Sequence, residues 1–359
     1  MADERYRWAE PGLEEVTAGV FRCPLPLPGD ALRAVNAYLV EAAGGFLLID
    51  CGWDRQESRE GLLAALQRLG ATTGSIVGIF ATHVHTDHLG LAGWVRDESG
   101  AWLTLGIGDR DTEVAFAQDP ASARESSLER LRRCSAEDVV ARLVNLRRST
   151  EDSPWLPPRP DFYLVGNELV SLGDFELRVV ATPGHTRGHL CLLDEARSLL
   201  FSGDHVLPHI TPSLGVELPL HDSPLASFMD SLERVRDLPA ELVLPAHGPA
   251  FSGLAGRVDE LLDHHRDRLK SCLQAVGAHG SSARDVAGAL PWTRRRTRFS
   301  DLDPFNQMLA VFESEAHLRV LADQGRLGTE VDGGRARYLP RSPSGDPHPA
   351  RTSEEGWHG

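Results

Sequence analysis

The stretch Ile79-Phe80-Ala81-Thr82-His83-Val84-His85-Thr86-Asp87-His88-Leu89-Gly90 constrains this chain more than any other. An apolar run over 76–81 reads as a buried strand, and it stops at a cluster of three histidines and an aspartate. Alternate residues of an extended segment share a face, so His83 and His85 can point at one ion. Asp87 and His88 follow where the chain turns into a helix, within reach of a second ion. Imidazole together with carboxylate suits zinc and other borderline divalent metals. The bland alternative is a polar loop that holds histidines by accident. A metal centre would need further ligands from elsewhere in the chain.

The same pattern recurs three times. The run 175–180 ends in Ala181-Thr182-Pro183-Gly184-His185-Thr186-Arg187-Gly188-His189, and 198–201 ends in Ser202-Gly203-Asp204-His205. The run 242–244 ends in Pro245-Ala246-His247-Gly248-Pro249. Strand ends are where scaffold residues give way to site residues. Each of His185, Asp204 and His247 is a weak signal alone; together, in this order, they point to a binuclear site. Asp50 also ends a strand, in Ile49-Asp50-Cys51-Gly52, where it either caps a helix or turn or orients a metal ligand.

Residues 13–50 alternate like hairpin strands, with Gly44-Gly45 at one turn and Pro24, Pro26, Pro28 and Gly29-Asp30 as a stiff loop at another. Helical spacing marks 55–69 and 89–98, and 101–105 reads as a short strand. From 108 to about 149 the pattern is helical and charged, and a proline-rich run closes it at 154–160. That is too long for a plain loop; it is either a scaffold excursion or a cap that shapes a pocket. Further helices are expected over 224–238, 257–272, 281–290 and 304–323, with a hairpin over 326–339 around Asp332-Gly333-Gly334. Ser282 and Asp285 favour the start of the third of these helices. His264-His265 read as solvated or packing residues.

A chain of 359 residues with 41% hydrophobic content accommodates two domains with full cores. Five scattered cysteines without a C-x-x-C pair read as reduced thiols, the expectation for a cytoplasmic protein. The opening residues lead into no apolar signal region, and no stretch approaches the roughly 20 apolar residues of a membrane span. A net charge of −15 disfavours loose electrostatic binding to nucleic acid or anionic membrane. Residues 255–340 hold 13 Arg and Lys against 12 Asp and Glu, so the acidic excess lies before them and suggests a domain boundary there. Beyond 341, Pro, Ser, Gly and Asp predict a disordered tail, and His358 within it is no ligand.

The motifs T-H-x-H-x-D-H, T-P-G-H-T-x-G-H, F-S-G-D and L-P-x-H-G-P, in this order over residues 12–250, resemble the metallo-β-lactamase-fold superfamily of hydrolases. That resemblance implies an αββα sandwich with metals at one edge, between the sheets. It implies that His83, His85 and His185 bind a first divalent metal, that Asp87, His88 and His247 bind a second, and that Asp204 bridges both. Zinc is the metal implied, with iron or manganese as alternatives. The β-lactamases of this fold place Cys or Ser where Asp204 stands, so the chain is more similar to glyoxalase II, the lactonases and the lactamase-like protein 2 group. Persulfide dioxygenases keep similar motifs with a single iron. Flavodiiron proteins depart at the second position of the motif, and no flavin domain is visible here. Helices followed by a hairpin resemble a winged helix, which the lactamase-like protein 2 group carries after its catalytic domain. The expected architecture is a catalytic domain over 1–252 with a helical insertion at about 108–160, a small winged-helix-like domain over 253–340, and a tail over 341–359.

The chemistry expected of such a site is hydrolysis by a metal-bridging hydroxide, with Asp87 as the catalytic residue that orients it and takes its proton. A small ester, thioester or lactone is the expected substrate; the alternative is a metal-dependent endoribonuclease of the lactamase-like protein 2 type. A third reading, a non-enzymatic regulator that senses a ligand, conflicts with a full ligand set. Arg294-Arg295-Arg296-x-Arg298 is the one dense basic run, so a nucleic-acid partner stands second to a small molecule. No membrane partner is expected, and the C-terminal domain admits a packing or homodimer role. His205 reads as a substrate contact or a strand-end hydrogen-bonding residue and His189 as structural. His209 and His221 are candidates for the pocket mouth.

Overall fold

The computed structural model describes residues 4–147, 155–173, 175–216, 223–293 and 295–341. The expected tail beyond residue 341, His221, His358 and Arg294 lie outside the described residues, as do 148–154 of the insertion. The first sheet has seven strands: β1 (Glu14–Thr17), β2 (Val20–Pro26), β3 (Ala34–Ala42), β4 (Gly45–Ile49), β5 (Ile76–Phe80), β6 (Trp102–Gly106) and β7 (Phe162–Leu164). They lie side by side in chain order, antiparallel from β1 to β4 and parallel from β4 to β7. The second sheet orders five strands β12-β11-β10-β9-β8: β8 (Leu169–Leu172), β9 (Phe175–Ala181), β10 (Leu190–Asp194), β11 (Leu199–Gly203) and β12 (Leu242–Pro245). Only β11 and β12 pair in parallel there.

The two-residue period of the strands sorts their side chains between two cores. Leu47, Ile49 and Phe80 face the second sheet and meet Leu190, Leu192, Leu199, Phe201 and Leu244. Their neighbours Leu48 and Ile79 turn outward, to Leu62 and Leu66 of α1 (Gln56–Arg68) and Val95 of α3 (Ala92–Ser99). On the far side, Cys191, Leu193, Leu200 and Val243 turn outward to Phe228 and Leu232 of α7 (Pro224–Val235) and to Val258 and Leu261 of α8 (Leu254–Ala275). Helices, sheet, sheet and helices therefore form the expected αββα sandwich. Phe80 is wholly buried between the sheets, and truncating it to alanine would cost about 3–5 kcal/mol.

One local expectation changes. Pro24 and Pro26 do not form a loop; they lie in β2, opposite Asn36 and Ala34 of β3. A proline cannot donate to a ladder, but β1 pairs with β2 only as far as Arg22, so both prolines fall on the half of β2 that has no strand on its other side among the described residues. The insertion is α4 (Arg110–Gln118), α5 (Pro120–Arg133) and α6 (Glu137–Arg147) among the described residues. Leu128, Leu131, Val139 and Leu143 of α5 and α6 share one core with α7, α8 and α10 (Pro304–Asp323). The insertion thus packs its apolar face onto the C-terminal segment.

That segment follows the expected order. Between α8 and α10 lies α9 (Ala283–Ala289), begun by a capping box in which Ser282 Oγ accepts from Asp285 N and Asp285 Oδ2 accepts from Ser282 N. The hairpin of β13 (Leu327–Asp332) and β14 (Arg335–Pro340) turns at Gly333 and Gly334, both with positive φ, as such a tight turn requires. No helix among the described residues is long and apolar enough to cross a membrane. All five cysteines are buried and free.

Candidate metal centre

The C-terminal ends of β5, β9, β11 and β12 open onto one edge of the sandwich, which brings the sequence-predicted ligands together. His83 and His85 leave β5, and Asp87 and His88 lie on the single turn α2 (Thr86–Leu89). His185 follows β9, Asp204 follows β11 and His247 follows β12. A backbone hydrogen bond from Leu190 N to Thr82 O (2.9 Å) ties the first loop to the second sheet. Gly184, at φ 144°, sets the approach of His185; a methyl there would run into Phe228 of α7.

Three nitrogens converge first. His83 Nε2 lies 2.9 Å from His85 Nδ1, and His185 Nε2 lies 3.1 and 3.0 Å from them. Nitrogens held at 2.0–2.1 Å by a tetrahedral zinc would sit about 3.3 Å apart. Their far ring atoms fix the tautomers. The His185 Nδ1–H donates to the Ser213 carbonyl (2.6 Å), and Thr82 Oγ1, which donates to Asp50, accepts from His83 Nδ1 at 3.0 Å. The Nε2 lone pairs of His83 and His185 therefore face each other across the gap, an arrangement that a cation resolves.

The second group is His88, His247 and Asp87. Asp87 Oδ2 lies 3.6 Å from His88 Nε2 and 3.3 Å from His247 Nε2. His88 Nδ1 is held by Asp50 Oδ2 at 2.8 Å, and His247 Nδ1–H donates to the Ala34 carbonyl at 2.8 Å. Asp50 thus does not cap a helix. At φ 56° it turns its carboxylate under the histidine loop and accepts from Thr82 N (2.8 Å) and Thr82 Oγ1 (3.0 Å) as well. Asp204 stands between the groups, with Oδ2 at 3.5 Å from His185 Nε2 and Oδ1 at 3.4 and 3.7 Å from His247 and His88 Nε2. His88 Nε2, His247 Nε2 and Asp204 Oδ1 are buried and make no hydrogen bond among the described residues. Buried polar atoms without a partner are costly, so these orphans fit a donor set made for cations. The groupings His83–His85–His185, His83–His88–Asp204 and Asp87–His88–His247 could each hold a metal ion.

The electrostatics divide along the same line. Burial, then the neighbouring imidazoles, push His83 and His185 well below the ordinary histidine range, and burial brings His85 down to about 4. Burial also opposes charge on His88, but Asp50, Asp87 and Asp204 outweigh it and raise it to about 10. Burial raises Asp204, whereas for Asp87 it is outweighed by His88 and His247, which hold that carboxyl well below its usual range. The first group is thus three neutral imidazoles, and the second pairs imidazoles with carboxylates.

The other histidines separate from the site. His189 accepts from Asp204 N at 3.0 Å and contacts Thr182 Oγ1 at 2.7 Å, so it holds the Asp204 turn. His205 is fully buried, edge-on to Phe228 with ring centroids 5.1 Å apart, and its two ring nitrogens have no hydrogen-bond partner among the described residues. His209 is exposed. His265 packs beneath α10 against His317, Nδ1 to Nε2 3.3 Å.

Sequence reasoning missed three residues. Asn36 Nδ2 donates to the Pro245 and Gly248 carbonyls, both at 2.8 Å, and Tyr38 OH donates to Pro245 O at 2.8 Å; together they pin the loop bearing His247. A lone asparagine within an apolar strand was the available signal. Asp109 follows β6 and hydrogen-bonds to both histidine loops. It too is an acid just past a strand end.

Residues 30–247 match the family model described as the Metallo-beta-lactamase superfamily. Among curated proteins, the chain is similar to a beta-lactamase-like protein 2 homolog of Caenorhabditis elegans, 26% identical over 79% of this chain and 81% of that protein. It is also 26% identical to the lactamase-like protein nscB of Trichophyton rubrum, over 77% of this chain and 69% of that one. Among solved structures, a metallo-beta-lactamase family protein from Thermus thermophilus is 26% identical, with a TM-score of 0.76 over 90% of this chain and 99% of that one. A beta-lactamase domain protein from Burkholderia ambifaria gives 27% identity and a TM-score of 0.72 over 92% and 95%. A family model that spans most of the sandwich, and solved relatives that follow nearly the whole chain, agree with the histidine- and aspartate-bearing strand ends: this chain belongs to the metallo-β-lactamase superfamily.

Proposed function

We propose that the protein is a binuclear metal-dependent hydrolase, with zinc as the metal and a small ester, thioester or lactone as the substrate. One observation carries the two-ion reading: the Asp204 carboxylate, which offers one oxygen to each ligand group. When bound, a pair of divalent ions supplies Lewis acidity and lowers the pKa of water toward neutrality. His83, His85 and His185 would hold the first ion, and Asp87, His88 and His247 the second. The chain's own contribution is to orient and to move protons. Asp87, whose Oδ2 lies against both His88 Nε2 and His247 Nε2, orients the attacking water and accepts its proton. Asp50 fixes the ring of His88, and Asn36 and Tyr38 fix the loop of His247, so the second group is in place before substrate arrives.

A second reading, a metal-dependent ribonuclease, draws on the C-terminal segment, where Arg284, Arg296 and Arg298 line a surface cavity. Arg284 is already paired with Asp138 at 2.8 Å, which leaves less charge for phosphates and places this reading second. The winged-helix character of 253–340, a cytoplasmic location and a homodimer belong to the same proposal. Its test is metal analysis of the purified protein, then a panel of thioesters, lactones and single-stranded RNA. Two equivalents of zinc and ester turnover support it. One equivalent of iron redirects it to sulfur oxidation, and RNA cleavage lost in Asp87→Ala, without ester turnover, reverses the order of the two readings.

A further inference from the structure

Asp109 is a fully buried carboxylate that no step above uses. It closes the turn from β6 into α4, where an aspartate ordinarily caps the helix that follows. It makes no cap hydrogen bond here. Instead, Oδ2 accepts from Val84 N (3.0 Å) and from the Thr186 hydroxyl (3.0 Å), and Oδ1 accepts from Gly188 N (2.8 Å). Val84 lies between His83 and His85, and Thr186 follows His185. One carboxylate therefore spans the two loops that carry the three-imidazole group.

The contact is also built for close approach. A methyl on Gly106 would collide with the Gly188 carbonyl, and one on Gly108 with the Arg187 carbonyl. A methyl on Gly188 would lie 2.6 Å from Asp109 Cγ. Three glycines thus let the turn after β6 rest directly on the loop after β9. Burial raises the Asp109 carboxyl to about 6, restrained by its three neutral donors, so near neutral pH it is a carboxylate held in charge-assisted hydrogen bonds.

We propose that Asp109 is a positioning residue for the first ligand group: it sets the spacing of the His83–His85 loop from the His185 loop and so selects the geometry of the three imidazoles. The second group is oriented by other residues, Asp50 and the carbonyl of Ala34. The inference rests on reading the three imidazoles as a metal set.

The test separates the two groups by mutation. In full-length protein, His247→Ala leaves the first group and His185→Ala leaves the second, and zinc affinity is measured in each by chelator competition. Asp109→Asn, which turns an NH2 toward donors, weakens zinc binding about 10–100-fold in the His247→Ala background and leaves it within about threefold in the other. Thr186→Val acts in the same direction with a smaller loss, and Thr186→Ser keeps the affinity of its background. Should Asp109→Asn fail to fold, Thr186→Val decides. Unchanged affinity in a folded variant, or equal losses in both backgrounds, overturns the proposal. If the parent protein takes up no zinc, the reading of the site fails separately. Amide exchange of the metal-free protein then decides the clamp: rates over 83–89 and 184–189 must rise together in Thr186→Val, and unchanged rates overturn it.

Discussion

Arg130 Nε donates to Glu315 Oε2 at 2.7 Å and joins the inserted helix α5 to the C-terminal helix α10, 185 residues further along the chain. The same guanidinium lies 3.8 Å from the centroid of the Phe312 ring and donates through a second nitrogen to the Gly215 carbonyl. Two residues before Gly215, the carbonyl of Ser213 accepts from His185. A buried ion pair thus connects the C-terminal segment to the loop that orients one of the candidate ligands.

Glu315→Gln leaves Arg130 charged in a site where both side chains are largely buried. Removing one member of a buried pair costs about 3–5 kcal/mol. The expected outcome is a loss of that size in urea unfolding, together with weaker retention of zinc during dialysis against chelator. Replacing both residues, as Arg130→Met with Glu315→Leu, should recover much of the stability, because no unpaired charge remains.

Asp50→Asn tests the orientation of His88. The carboxylate faces the His88 Nδ1 proton and also accepts from the backbone and hydroxyl of Thr82. An amide cannot serve all three. Partners of this kind are worth about 10–100-fold in metal affinity, so Asp50→Asn should lose zinc to chelator at correspondingly lower chelator concentration. Retention equal to that of the parent protein would refute the role.

The candidate ligands were readable because each sits within a few residues of an apolar run, and a buried strand announces its end by composition alone. The αββα layering was implied by the family resemblance, and the structure bears it out: in Leu47-Leu48-Ile49 the first and third side chains face one core and the second faces the other. What could not be read acts across long separations. Asn36 meets Pro245, and Arg130 meets Glu315, only because the sheets and helices stack, and no local spacing marks such pairs. Pro24 and Pro26 misled for a related reason: a local rule sends prolines to loops, whereas the vacant half of β2 is a property of how far β1 reaches.

Asp87→Asn separates proton transfer from metal holding. Positioned acid–base groups contribute about 10²–10⁴-fold, so kcat on the best ester of the panel should fall by that factor. His88 and His247 remain, so KM should change little, and the three-imidazole group should keep its ion. Loss of the second ion on this substitution would show that Asp87 acts first as a ligand of that group, and the fall in kcat would then not measure proton transfer.

The pH dependence of the metal-free protein follows from His85 and His88, which move in opposite directions. Burial holds His85 down to about 4, against an unfolded value near 6.5. As pH falls from about 6.5 to 4, the unfolded chain takes up a proton that folded His85 refuses, and stability declines. His88 is raised to about 10 by Asp50, Asp87 and Asp204, against the opposing effect of burial. Its contribution is fully present below about 6.5 and is lost as pH rises toward 10, because the folded state holds a proton there that the unfolded chain has released. Together the two groups predict a stability maximum near pH 6.5, measured by urea unfolding in the presence of chelator. Metal binding needs the His88 lone pair and expels that proton, so zinc affinity should rise about tenfold per pH unit between 7 and 9 on this account. With zinc bound, the alkaline decline should disappear. An alkaline limb that persists in the zinc-loaded protein would show that His88 stays protonated and is not a ligand.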